Sequence, residues 1–121
     1  MMPPSAEDDI PDRGYLAYVN FDARVGHEQS GNRPAVIISP YEYHGKTPYM
    51  IVCPITKNMT PYPFKVAIPE GLPIRGAVLV DQLKSVDRWA GGCNIVGILP
   101  DAVMADIRGR LAALLGMPPS S

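Results

Sequence analysis

The segment Gly26-His27-Glu28-Gln29-Ser30-Gly31-Asn32-Arg33-Pro34 gathers polar and charged side chains between an aromatic run and an apolar one. Arg33 carries the clearest chemistry. Its guanidinium is planar, permanently charged and shaped to hold two oxygens of one phosphate. Pro34 restricts the backbone at its root. Glu28 and His27 beside it are groups that exchange protons near neutral pH. Loops held between rigid strands commonly carry function, so the segment reads as a site for a phosphate-bearing substrate. Each residue taken singly has a plainer reading: an Arg before an apolar strand is usually a solvated strand end, and Glu28-Gln29 can simply brace a turn.

Other chemistries find little support. The chain lacks a phosphate loop, a Gly-x-Gly-x-x-Gly turn and a Gly-x-Ser-x-Gly elbow. His27, His44 and the scattered carboxylates show no zinc or two-metal spacing, so no metal and no cofactor is expected. Cys53 and Cys93 make neither a disulfide framework nor a Cys-x-x-Cys pair, which suits a reduced, cytoplasmic setting. Apolar runs fall well short of a membrane span, and the N-terminus has no signal-peptide pattern, so no membrane partner is expected.

The elements that must position the loop are short. The 121 residues include 14 Pro and 11 Gly, which cut the apolar sequence into strand-length pieces. Strands are predicted over Gly14–Phe21, Pro34–Ser39, Tyr49–Thr56, Phe64–Pro69, Gly76–Asp81 and Asn94–Leu99, giving a mainly β small barrel or sandwich with minor α content. Ser39-Pro40-Tyr41-Glu42 fits a capping box opening a very short helix after the second strand. A C-terminal helix is predicted at about 101–115, with Val103, Ile107, Leu111 and Leu114 on its buried face and Gly116 as its stop.

Charge is unevenly placed. The formal net charge is −1, from 11 basic and 12 acidic residues. Glu7, Asp8, Asp9 and Asp12 lie ahead of the first apolar run, and residues 13 onward carry +3. Residues 1–12 are therefore expected as a disordered acidic tail, 13–116 as one domain, and 117–121 as a second disordered tail. An overall −1 first argues against nucleic acid; the split removes that exclusion.

In motif content the chain resembles the MazF/PemK family of toxin endoribonucleases. The loop pattern Gly-x-Glu-Gln-x-Gly-x-Arg-Pro stands intact at Gly26, Glu28, Gln29, Gly31, Arg33 and Pro34. Val19-Asn20-Phe21-Asp22, Ser39-Pro40, Cys53-Pro54-Ile55-Thr56, Tyr62-Pro63-Phe64 and Asp81-Gln82-Leu83-Lys84-Ser85 follow in register, over about residues 11–116. The resemblance implies an SH3-like barrel of the CcdB/MazF type and a homodimer that cuts single-stranded RNA without metal, leaving 2′,3′-cyclic phosphate and 5′-hydroxyl ends. It also implies a cognate MazE-like antitoxin that neutralises the toxin. By the family pattern Arg33 and Thr56 form the catalytic pair and Glu28 assists. Candidate RNA contacts are Asn20, Phe21, Asp22, Gln29, Asp81, Gln82 and Lys84. One departure is Asp87-Arg88-Trp89-Ala90-Gly91-Gly92, where relatives follow the Trp with a cluster of arginines.

The reaction so implied needs a base for the 2′-hydroxyl, charge stabilisation on the phosphoryl oxygens and a proton for the leaving 5′-oxygen. Arg33 suits the charge role and Thr56 can donate a hydrogen bond to the same oxygens; the base stays unassigned. Two other readings stand beside this one. A non-enzymatic gyrase poison of the CcdB type ends in Trp-Gly-Ile, whereas this chain ends Gly-Met-Pro-Pro-Ser-Ser. An RNA-binding module without cleavage would keep the fold but not need Arg33 and Thr56 together.

Overall fold

The computed structural model describes residues 10–21 and 32–118. Among these residues seven strands and three helices follow in the order β1 Tyr15–Asn20, β2 Asn32–Ile37, α1 Tyr41–His44, β3 Tyr49–Thr56, β4 Lys65–Ala67, β5 Ala77–Leu79, β6 Lys84–Asp87, α2 Arg88–Gly91, β7 Cys93–Ile98 and α3 Asp101–Leu114. All pairings are antiparallel, along the path β4-β5-β3-β2-β1-β7, with β6 added alongside β3. The mainly β expectation holds. The strand path does not return on itself among the described residues, so the sheet bends without closing into a full barrel.

The bend follows from how β3 is shared. Its first half pairs with β6, with Met50 opposite Val86 and Val52 opposite Lys84. Its second half pairs with β5, with Ile55 opposite Val78 and Thr56 opposite Ala77. Along its other edge it pairs with β2 over Ala35–Ile37. One long strand thereby belongs to two smaller sheets that splay from it.

Side-chain alternation divides the core in two. Leu16, Val36, Cys53 and Ile55 join Val78, Leu99 and the α3 residues Met104, Ile107 and Leu111 in one cluster. Ala17, Val19, Ala35, Ile37, Met50, Val52 and Val86 form a second. The central strands are thus apolar on both faces, which is why β2 and β3 read as near-continuous hydrophobic runs. On α3 the buried face is Met104, Ile107 and Leu111, whereas Leu114, expected there, is 39% exposed. The helix ends with Met117 N–H donating to the Ala112 carbonyl and Gly116 N–H to that of Ala113, with Gly116 at φ +69°. These are the paired bonds of a glycine-terminated helix.

Two short elements escaped the sequence reading. β6 is a four-residue strand with one fully covered apolar residue, Val86. α2 is capped by the Asp87 carboxylate, which accepts from the Trp89 and Ala90 N–H groups. Neither carries enough periodic apolar sequence to be seen alone.

The capping-box expectation at Ser39 is corrected. The residue ahead of α1 is Pro40, and no side chain caps the helix. The Ser39 hydroxyl is used elsewhere: it lies 2.6 Å from His44 Nε2 and accepts from Ile51 N–H at 2.8 Å. His44 Nδ1 is 2.8 Å from the Pro11 carbonyl. A carbonyl only accepts, so Nδ1 carries the proton and Nε2 accepts from Ser39 O–H. The His44 ring is 1% exposed and neutral, and it ties Pro11 to α1 and β3. Asp12 reinforces the tie by accepting from Tyr41 N–H at 2.9 Å. Residues 1–9 of the expected tail lie outside the described residues.

Burial, seconded by the Arg88 charge, lowers the His44 pKa below 6.5, against opposing pulls from the Pro11 carbonyl and Asp12. The unfolded chain therefore takes up a proton at higher pH than the fold does. This contribution to stability is complete above pH 6.5 and falls away as the pH drops toward the lower folded-state value. Thermal melts should show Tm falling from pH 7 to pH 5, and His44→Gln should lower Tm at pH 7 while flattening that slope.

Candidate active site

The β2–β3 ladder stops two residues short of both Arg33 and Thr56. The register is Ile37 opposite Val52, Val36 opposite Cys53 and Ala35 opposite Pro54, and there it ends. Proline has no N–H to give a ladder, and Pro34 and Pro54 stand at this boundary. Beyond it β2 stays paired to β1, with Arg33 opposite Val19, while β3 turns to β5. Carried two residues past its observed end, the β2–β3 register would set Arg33 opposite Thr56.

Strand alternation puts both on the same face. Arg33 shares parity with Ala35 and Ile37, and Thr56 with Met50 and Val52, all on the side of the second core cluster. Lys84 shares parity with Val86, and Phe21 with Val19, so they extend the same face. Arg33 and Lys84 are exposed, and Phe21 is half-buried against the cluster. Lys84 sits opposite Val52, four residues before Thr56, or roughly 13 Å along the strand. Two cations and an aromatic thus line one apolar-floored surface with Thr56 at its end.

Thr56 is held for donation. Its Oγ1 accepts from Asn58 N–H at 3.1 Å, which leaves the hydroxyl proton free to point outward. The loop after it is braced in turn: Asn58 Oδ1 accepts from Thr60 N–H, and the Lys65 ammonium donates to the Asn58 and Thr60 carbonyls at 2.7 and 2.9 Å. Gly76, at φ +132°, presses against the Thr56 carbonyl so closely that a Cβ would lie 2.2 Å from that oxygen. A depression lined by Lys57, Met59, Arg75 and Gly76 opens beside this contact.

The remaining predicted residues divide. Asp81 is half-buried and joined to Tyr62, whereas Gln82 is exposed. Asn20 is 1% exposed and lies opposite Asn32 at the end of the β1–β2 ladder. Asp22, Glu28 and Gln29 lie outside the described residues. The sequence reading missed Lys57, Arg75 and the link from Tyr62 to Asp81. Lys57 directly follows Thr56, but Arg75 is 19 positions away and reaches it through the β3–β5 pairing.

Cys53 and Cys93 belong to the packing. Burial, helped by the Asp81 charge, pushes the Cys53 thiol up to about 12. Burial likewise takes Cys93 to about 11 against the Arg88 charge. Neither is a nucleophile near neutral pH. Among the described residues no cluster of three or more His, Cys, Asp or Glu could hold a metal ion. No helix is long and apolar enough to cross a membrane.

A family model described as PemK-like, MazF-like toxin of type II toxin-antitoxin system matches residues 12–115. The chain belongs to this toxin family. The endoribonuclease toxin MazF of Escherichia coli K12 is 36% identical over 107 residues, spanning 88% of this chain and 96% of the relative. The endoribonuclease PemK of Escherichia coli is 32% identical over 109 residues, spanning 86% and 81%. A crystal structure of MazF from Deinococcus radiodurans superposes with a TM-score of 0.79 at 42% identity, covering 89% of this chain and 98% of that one. A MazE–MazF structure from the same organism superposes at 0.80 with 38% identity, covering 90% and 98%. Each match spans most of both chains, so the toxin fold is present from β1 through α3.

The Gly76 contact yields a test of how tightly Thr56 is placed. Gly76→Ala should cost more than about 2 kcal/mol in urea unfolding, because it meets both a positive φ and a backbone oxygen. Gly71→Ala has positive φ but nothing within 4 Å of its Cβ, and should cost only about 1 kcal/mol.

Proposed function

We propose that this toxin is a sequence-specific endoribonuclease that cuts single-stranded RNA by attack of a 2′-hydroxyl on the adjacent phosphorus. What supports the reading is that Arg33 and Thr56 each lie two residues past the end of the β2–β3 ladder, at strand positions that share the parity of the second core cluster. The Arg33 guanidinium would hold two phosphoryl oxygens and offset the charge gathering on them. The Thr56 hydroxyl would donate to the same oxygens. Lys84, together with Lys57 and Arg75 beside Thr56, would guide the backbone to either side. Phe21 offers a ring on which a base can stack, and Gln82 an exposed amide. Glu28, Gln29 and Asp22 complete the proposed site from the loop, with Glu28 assisting catalysis.

Attack at phosphorus forms the new O–P bond to the 2′-oxygen as the bond to the 5′-oxygen breaks. The 2′-oxygen loses its proton and the 5′-oxygen gains one, leaving a 2′,3′-cyclic phosphate and a 5′-hydroxyl. In this reading the positive charge at phosphorus comes from Arg33, so no metal is required. The partners that fit are single-stranded RNA, a second copy of the chain and a cognate antitoxin of the MazE kind, acting in the cytoplasm. Solved MazE–MazF structures from Deinococcus radiodurans support the antitoxin. Exposed Ile98, Leu115 and Met117 are apolar surface that an assembly would cover.

The purified protein is expected to cut single-stranded RNA in EDTA, with 5′-hydroxyl ends detected by their need for kinase treatment before ligation. Arg33→Ala should keep its Tm within about 2 °C and lose at least about a hundredfold in kcat, as for loss of one charge-stabilising group. Cleavage by that variant at the wild-type rate would overturn the site, and activity restored only by Mg²⁺ would overturn the metal-free mechanism. Inhibition of DNA supercoiling with no RNA cleavage would favour the gyrase reading.

A further inference from the structure

Asp81 follows β5 at the corner where the chain crosses from β5 to β6, three residues before Lys84. Its Oδ2 accepts from the Tyr62 hydroxyl at 2.5 Å. Its Oδ1 is shielded from solvent and has no hydrogen-bond partner among the described residues. A buried acceptor left open is costly, and native structures rarely keep one without a use.

Tyr62 is unusual in the opposite sense. It is 47% exposed, yet its hydroxyl is committed. The hydrogen bond to Asp81 raises its pKa, so the phenol stays a donor throughout the neutral range. Its ring meets Phe64 edge-on with centroids 6.1 Å apart, within the ordinary range for such pairs. Arg110 on α3 donates to the neighbouring Pro63 carbonyl. The loop carrying Tyr62 is the same one braced at its other end on Thr56 Oγ1. Tyr62 therefore connects the Thr56 loop to the Asp81–Lys84 corner.

We propose that Tyr62 is the positioning residue of a base-reading element: it holds one oxygen of Asp81 so that the other accepts an N–H from an unpaired RNA base. This rests on the endoribonuclease reading of the same face. An ionised carboxylate only accepts hydrogen bonds and repels phosphate, so it is suited to reading a base edge and not the backbone. Lys84, three residues on, is the group of that corner suited to phosphate. Oδ1 is covered in the free protein, so docking includes a small side-chain rearrangement, of the kind common at interfaces. Tyr62 touches no reacting atom; its effect passes through Asp81.

The test uses single-stranded RNA oligonucleotides carrying the wild-type cut site, once mapped, and variants at each flanking base. Equilibrium binding is read in the Arg33→Ala background and cleavage in the wild-type background. Tyr62→Phe keeps the ring and its contact with Phe64. It should weaken RNA binding and raise KM about tenfold, as for one hydrogen bond to a charged group, with kcat within about twofold. Discrimination should relax at a single base position, and Tyr62→Phe should add nothing in an Asp81→Ala background. Unchanged affinity and selectivity would overturn the proposal, as would an equal loss in the Asp81→Ala background. A lowered Tm with selectivity intact would mark Tyr62 as merely structural and overturn it too. Absence of cleavage by the wild-type chain would refute the endoribonuclease reading itself and the proposal with it, whereas a failed Tyr62 comparison with the wild-type chain active overturns the proposal alone.

Discussion

Two prolines, Pro34 on β2 and Pro54 on β3, stand where the ladder between those strands gives out, and the rest of the molecule is arranged around that interruption. Before it, the strands pair and bury both faces. Past it, β2 remains with β1 and β3 continues with β5. The missing donors end the β2–β3 ladder at the edge of the core, two residues short of Arg33 and Thr56.

Rigidity around this boundary is supplied from both sides. On one side, Gly76 lets β5 approach the Thr56 carbonyl more closely than any side chain would permit. On the other, Arg33 is paired through Val19 to β1, whose alternate residues are buried in opposite clusters. The loop beyond Thr56 spends its polar groups on itself and on Lys65, and so holds shape without a core of its own. Preorganisation of this kind is what charge stabilisation at a phosphate requires, since groups that must move to meet the charge lose much of their effect.

The regular elements were largely legible because their apolar residues are dense and punctuated by Gly and Pro. β3 was read at its observed limits, Tyr49–Thr56. β1, β2, β4, β5 and β7 were read within a few residues, and α3 almost to its ends. Short elements were not legible: β6 depends on pairing with β3, and α2 on a carboxylate cap, neither of which leaves periodicity in four residues. Ser39 was misread for a related reason. Its local sequence matches a helix cap, but a buried histidine five residues on competes for the hydroxyl and wins.

What the sequence by itself determined was the inventory: an arginine of a type suited to phosphate, the loop pattern around it, the family, and strands apolar enough to collapse. It could do so because motif order and hydrophobic density are one-dimensional properties. The tertiary structure decided where those groups stand. Arg33 and Thr56 are 23 positions apart, and Tyr62 and Asp81 are 19 apart. Their placement depends on strand register and on β3 changing partners, which are set by packing of the whole sheet and leave no local trace along the chain.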